Sequence, residues 1–195
     1  MRVLLLVAMI IIGSLATVAT AYRSDCRWTS PSYFRAASMT ELYLCAAAGK
    51  RVNVGDNFAT PLHYAAEGAA NPWVIAALVH IGADLDAGDR YLDDTPLHYA
   101  ARYNPNPDII RILIASGADA NARNKIGKTP MHAAAENGRS PPVIYALAAF
   151  GADPAARDIA DRTPLDLAID GQRDLAMIAA IEKAAAVKSA PPPPG

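Results

Sequence analysis

Aromatic residues are scarce in this chain of 195 residues, at 7%, and charge of either sign nearly cancels, with 18 Lys and Arg against 19 Asp and Glu. A chain this close to neutral lacks the basic field that a general nucleic-acid binder uses to neutralise phosphates. Cysteine occurs only twice. Long apolar runs are equally rare: after Val3–Ile12 there is no second one. What the sequence does have is apolar content of 52%, much of it alanine, against 19% charged residues. That balance affords a sizeable core and argues against whole-chain disorder. Alanine in such quantity suits short, closely packed helices better than a broad sheet.

The one apolar run has the layout of an export signal. Arg2 gives a positive start, Val3–Ile12 the apolar stretch, and Ala19-Thr20-Ala21 an A-x-A cleavage pattern that places the cut between Ala21 and Tyr22. The alternative is a retained anchor, because Val3–Ala21 is marginally long enough to span a bilayer, although Gly13, Ser14, Thr17 and Thr20 dilute its second half. Cleavage leaves an exported chain, periplasmic or secreted, without a membrane segment. Cys26 and Cys45 follow the cut closely, in a compartment where a disulfide persists, and the expectation is that they pair. Two unrelated buried thiols are the competing reading.

A repeat occupies the rest. Thr60-Pro61-Leu62-His63-Tyr64-Ala65-Ala66 returns as Thr95-Pro96-Leu97-His98-Tyr99-Ala100-Ala101 and as Thr129-Pro130-Met131-His132-Ala133-Ala134-Ala135. A weaker copy, Thr163-Pro164-Leu165-Asp166-Leu167-Ala168, follows, so the steps are 35, 34 and 34 residues. Gly-Ala-Asp recurs at Gly82, Gly117 and Gly151, each 22 residues after its threonine, whereas the stretch from glycine to the next threonine varies in length. Thr-Pro places a hydroxyl cap before a proline at the first helical position. Asn71-Pro72, Asn106-Pro107 and Ser140-Pro141 repeat that start for a second helix. Apolar residues then fall at helical spacing, as in Val74, Ile75, Leu78 and Val79, until a glycine able to turn left-handed ends each helix. The variable, polar half reads as a hairpin loop.

This unit resembles the ankyrin repeat, whose T-P-L-H-x-A phrase recurs with a period of about 33 residues. The resemblance implies an all-α solenoid of stacked helix pairs joined by hairpin loops. The expected organisation is a signal at 1–21, an N-terminal segment at 22–30, the array at 31–187 and a Pro-rich tail at 188–195. Within the array, caps are expected at about 31–56 and 161–187 and full repeats at about 57–160. Pro31–Ser38 is expected as a worn first helix. Leu175, Met177, Ile178 and Ile181 are expected to form the inner stripe of a last helix whose Arg173, Asp174, Glu182 and Lys183 face water.

Sharper chemistries fit poorly. Ala122–Thr129 approaches a phosphate-binding loop, but its first position is not glycine, no buried strand precedes it, and Thr129 already caps a helix. Asp84–Asp89 resembles a calcium loop with glycine at a ligand position, so a solvated acidic tip is expected instead. His63, His98 and His132 sit in equivalent places of successive units, roughly 10 Å apart if the helices pack normally, too far to share one zinc ion. The resemblance implies that these histidines are structural, bonding to backbone near the hairpin. No catalytic arrangement stands outside the repeat, so no enzyme, cofactor or metal is expected.

Residues that vary in phase are the ones free for function. On the hairpins these are Tyr91, Leu92 and Asp94, then Lys125, Ile126 and Lys128, then Ile159, Ala160 and Arg162. On the first helices they are Glu67, Arg102, Tyr103, Glu136, Asn137 and Asp170. The expected binding set is Tyr91, Leu92, Asp94, Arg102, Tyr103, Lys125, Ile126, Lys128, Glu136 and Asn137. The resemblance implies a monomeric adaptor that binds another protein through hairpin tips and the first-helix surface. An inhibitor or accessory subunit of one enzyme, or a secreted effector, is the alternative.

Overall fold

The computed structural model describes residues 28–47, 49–55, 58–137 and 140–189. Cys26 and the cleavage pair Ala21 and Tyr22 lie outside the described residues. Ten helices form in that span: α1 (Pro31–Ala36), α2 (Met39–Ala47), α3 (Pro61–Gly68), α4 (Pro72–His80), α5 (Pro96–Tyr103), α6 (Pro107–Ala115), α7 (Pro130–Asn137), α8 (Pro141–Ala149), α9 (Pro164–Asp170) and α10 (Leu175–Ser189). The described residues contain no strand, and no described helix is long and apolar enough to cross a membrane.

Proline opens seven of the eight helices from α3 to α10, because its fixed φ suits the first turn and its missing N–H would be unpaired there anyway. Asn71 Oδ1 accepts the Trp73 N–H at 3.1 Å, and Asn106 Oδ1 accepts the Asp108 N–H at 3.0 Å. At the far end of the second helices, Gly82, Gly117 and Gly151 take φ of +93°, +114° and +86°, where a side chain would be strained. Each unit therefore starts and stops by local chemistry alone.

Stacking then supplies the core. First helices pack in the order α1, α3, α5, α7, α9, and second helices in the order α2, α4, α6, α8, α10. Between the two layers Leu62, Ile75, Leu78, Leu97, Ile109, Ile110, Leu113, Met131 and Ile144 are fully buried. Each such side chain is worth about 1.5–3 kcal/mol relative to exposure. Polar groups stitch neighbouring units: the buried Asn104 amide donates to the carbonyls of Ala66 and Ala69, both at 3.0 Å.

The ends depart from the sequence expectations in five places, one being Arg173, expected to face water but half-buried just before α10 with its guanidinium donating to the Glu136 carbonyl. Trp28, assigned to a separate segment, is fully buried with Phe34 and Leu42 and closes the N-terminal end of the core. Helix α1 stops at Ala36, because Ser38 is taken as the cap of α2: Glu41 Oε2 accepts the Ser38 N–H at 2.8 Å, and Ser38 Oγ accepts the Glu41 N–H at 3.2 Å. Leu175 is 84% exposed rather than in the inner stripe, which is formed by Met177, Ala180, Ile181 and Ala184. Helix α10 also runs on to Ser189, past the expected start of the tail, and Lys188 Nζ pairs with Asp153 at 2.8 Å.

Candidate functional site

Each of the hairpins before Thr95, Thr129 and Thr163 is organised by one buried side chain. Asp89 Oδ1 accepts the N–H groups of Leu92 and Asp94, Asn124 Oδ1 those of Ile126 and Lys128, and Asp158 Oδ1 those of Ala160 and Arg162. All three are only 6% exposed, so Asp89 belongs to the scaffold and not to a solvated acidic tip. Its signal in the sequence was an Asp or Asn five or six residues before three of the four Thr-Pro pairs, those at Thr95, Thr129 and Thr163. Hairpins then hydrogen-bond tip to tip: Arg90 N–H to the Phe58 carbonyl at 2.9 Å, Lys125 N–H to Leu92 at 2.8 Å, and Ile159 N–H to Ile126 at 3.1 Å.

Along this ridge lie large exposed apolar groups. Tyr91 is 64% exposed and stacks on Phe58, with ring centroids 5.4 Å apart and 10° between planes. Ile159 continues the ridge, with Ile126 half-buried between them. Phase comparison missed Phe58 because the hairpin before Thr60 is shorter than the next, which puts the two stacked rings out of step. Below the ridge, on the first helices, exposed Tyr103 meets Tyr99 edge-on at 5.8 Å and the Arg102 guanidinium at 5.7 Å. A polar groove of about 380 Å³, lined by Pro31, Arg35, Glu67, Arg102, Tyr103 and Asn137, opens beside it.

Of the expected binding residues, Tyr91, Tyr103, Lys125 and Asn137 are exposed, and Leu92, Ile126, Arg102 and Glu136 are half-buried. Asp94 and Lys128 are buried, which corrects the expectation that varying positions are free. Each has an internal partner: Asp94 Oδ2 accepts from Arg102 at 2.7 Å, and Lys128 Nζ donates to Glu136 at 2.7 Å. Burial pushes the Asp94 carboxyl up, but the Asn124 amide and the Arg102 charge outweigh it and hold it below its ordinary value. Burial and the neighbouring Asp89 carboxylate push the Tyr99 phenol well above its ordinary range, so the hydroxyl donates to Asp89 Oδ2 at 3.0 Å.

The histidine rings are committed to the scaffold. Thr60, Thr95 and Thr129 each donate their N–H to Nδ1 of His63, His98 and His132 at 3.1 Å. The opposite Nε2 donates to the carbonyls of Asp94, Lys128 and Arg162, one repeat on, at 2.8–3.0 Å. In the last unit Asp166 replaces histidine and accepts the Thr163 N–H at 2.8 Å, closing its own turn only. On the opposite side, the second helices expose Trp73 and Tyr145, and Phe150 is exposed just after the end of α8.

No curated protein matches the chain. Residues 57–90 match the family model described as Ankyrin repeat, and residues 97–187 match that described as Ankyrin repeats (3 copies). Together with the stacked helix pairs, these matches identify the chain as a member of the ankyrin-repeat proteins, generally protein–protein interaction modules.

Proposed function

We propose that the chain is an exported, non-catalytic adaptor that captures one partner protein on the hairpin ridge and the adjoining first-helix face. The observation that carries this reading is the stacked pair Phe58 and Tyr91, with Tyr103 below it on the same side. Exposed aromatic rings set beside an arginine are the usual anchors of protein interfaces, and they need no support from the core here. The signal-like start of the sequence supports export, and burial of Cys45 at 1% exposure supports its pairing with Cys26 to staple the N-terminal cap.

Photo-crosslinking groups placed at Tyr91 and Tyr103 in the exporting cell test the reading. One dominant crosslinked protein at both positions is expected. Crosslinks at neither position, with the same protein captured instead from Trp73 on the second helices, would move the site to the opposite side of the solenoid.

A further inference from the structure

Two repeats carry the same internal ion pair with its charges exchanged. The residue before the threonine pairs with the residue seven after it: Asp94 with Arg102 around Thr95, and Lys128 with Glu136 around Thr129, both at 2.7 Å. In the first full repeat the equivalent positions are Ala59 and Glu67. Alanine offers no cation. Glu67 is half-buried and has neither hydrogen bond nor ion pair among the described residues.

Resting on the adaptor reading above, we infer that Glu67 is the receptor for a basic side chain of the partner, an arginine or lysine that supplies the cation this repeat lacks. The groove beside Glu67 has room for such a side chain, at about 380 Å³, and its walls suit one. Tyr103 presents an exposed ring at the groove, and a cation over a tyrosine face gains from the ring quadrupole. Asn137 adds an amide oxygen able to accept a guanidinium N–H. Arg102, on another wall, is already neutralised by Asp94. Arg35 lies exposed on the last turn of α1 and lines the groove as a cation with no ion pair among the described residues. Burial of Glu67 raises its carboxyl above the ordinary value, the behaviour of a carboxylate awaiting a counter-charge.

The test uses N-acetyl-arginine amide as the probe and NMR of the full chain with labelled glutamate and tyrosine. Titrating the probe is expected to move the Glu67 carboxyl and Tyr103 ring signals together, saturating in the millimolar range, and to lower the Glu67 pKa. The variant Ala59→Lys completes the internal pair. It is expected to lower the Glu67 pKa without probe and to weaken probe binding at least tenfold, and Glu67→Gln is expected to do the latter. Arg35→Ala is expected to leave probe binding intact or to strengthen it. No joint movement of the two signals would overturn the inference. So would a Glu67 pKa that rises in Arg35→Ala, because Arg35 itself would then be the occupant. The adaptor reading would survive either result, since crosslinking at Tyr91 is independent of this groove.

Discussion

The His98 ring lies with Nε2 3.0 Å from the carbonyl oxygen of Lys128, one repeat further along the array. The Thr95 N–H can only donate, so Nδ1 must accept it and the ring proton must sit on Nε2. One neutral side chain therefore caps its own helix and holds the next hairpin. This is how a stack of individually unstable units becomes cooperative.

Removing that ring should cost more than a lost cap. His98→Ala leaves the Lys128 carbonyl and the Thr95 N–H unpaired in the interior and opens a void, so a loss of about 3 kcal/mol is expected from denaturant unfolding. Asp166→Ala, at the unit with no onward link, should cost distinctly less. Equal losses at the two sites would contradict the inter-repeat role.

The same rings make stability depend on pH. Burial lowers His63, His98 and His132 below their ordinary value of 6.5, against the opposing pull of the carbonyls and carboxylates around them. Below that value the unfolded chain binds more protons than the folded one, so stability rises with pH through this window. It is complete above about pH 6.5 and is lost as pH falls toward the depressed folded values. Asp94 and Asp158, also held low, act in the same direction but in more acid solution, whereas Glu67, held high, opposes them. A melting temperature that is level above neutrality and drops steadily from pH 6.5 to 5 is expected. A level curve over that range would show that the rings are not buried neutral.

Gly117 has φ of +114°, where a β-branched side chain is strained whatever the space around it. Gly117→Val is expected to destabilise by roughly 1–3 kcal/mol, read from the unfolding midpoint. An unchanged midpoint would mean that α6 does not end at Ser116 and Gly117 as described.

Cys45 is buried beneath the Tyr33 hydroxyl, whose oxygen lies 3.7 Å from its sulfur. If it pairs with Cys26 in the exported chain, reduction removes a loop constraint worth about 3 kcal/mol and lowers the melting temperature. Two titratable thiols in unreduced, exported protein would contradict the pairing.

Helix starts were legible in the sequence because cap and proline act locally, and the glycine stops were legible for the same reason. Burial at the hairpins was not. Asp94 and Lys128 differ between repeats and so looked free, yet they vary because each is matched to its own partner, Arg102 or Glu136. Variation in phase marks either a free surface or an exchanged pair, and only the contact seven residues beyond the threonine separates the two. Leu175 misled in the opposite sense: it fits the helical period, but α10 is the last element among the described residues and presents that side to water. The tyrosines at 91 and 103 were legible as site candidates because nothing in the repeat required an aromatic ring there.

The measurement that bears most directly on the central claim is partner capture by Tyr91→Ala combined with Tyr103→Ala, beside Trp73→Ala on the second helices. Both tyrosines are more than half exposed, at 64% and 52%, so the double variant should melt where the parent does. Capture is expected to weaken at least tenfold, about 1.4 kcal/mol, which is modest for two aromatic anchors. Trp73→Ala should capture as the parent does. Undiminished capture by a normally folded double variant, with loss in Trp73→Ala, would contradict the account and place the partner on the opposite face.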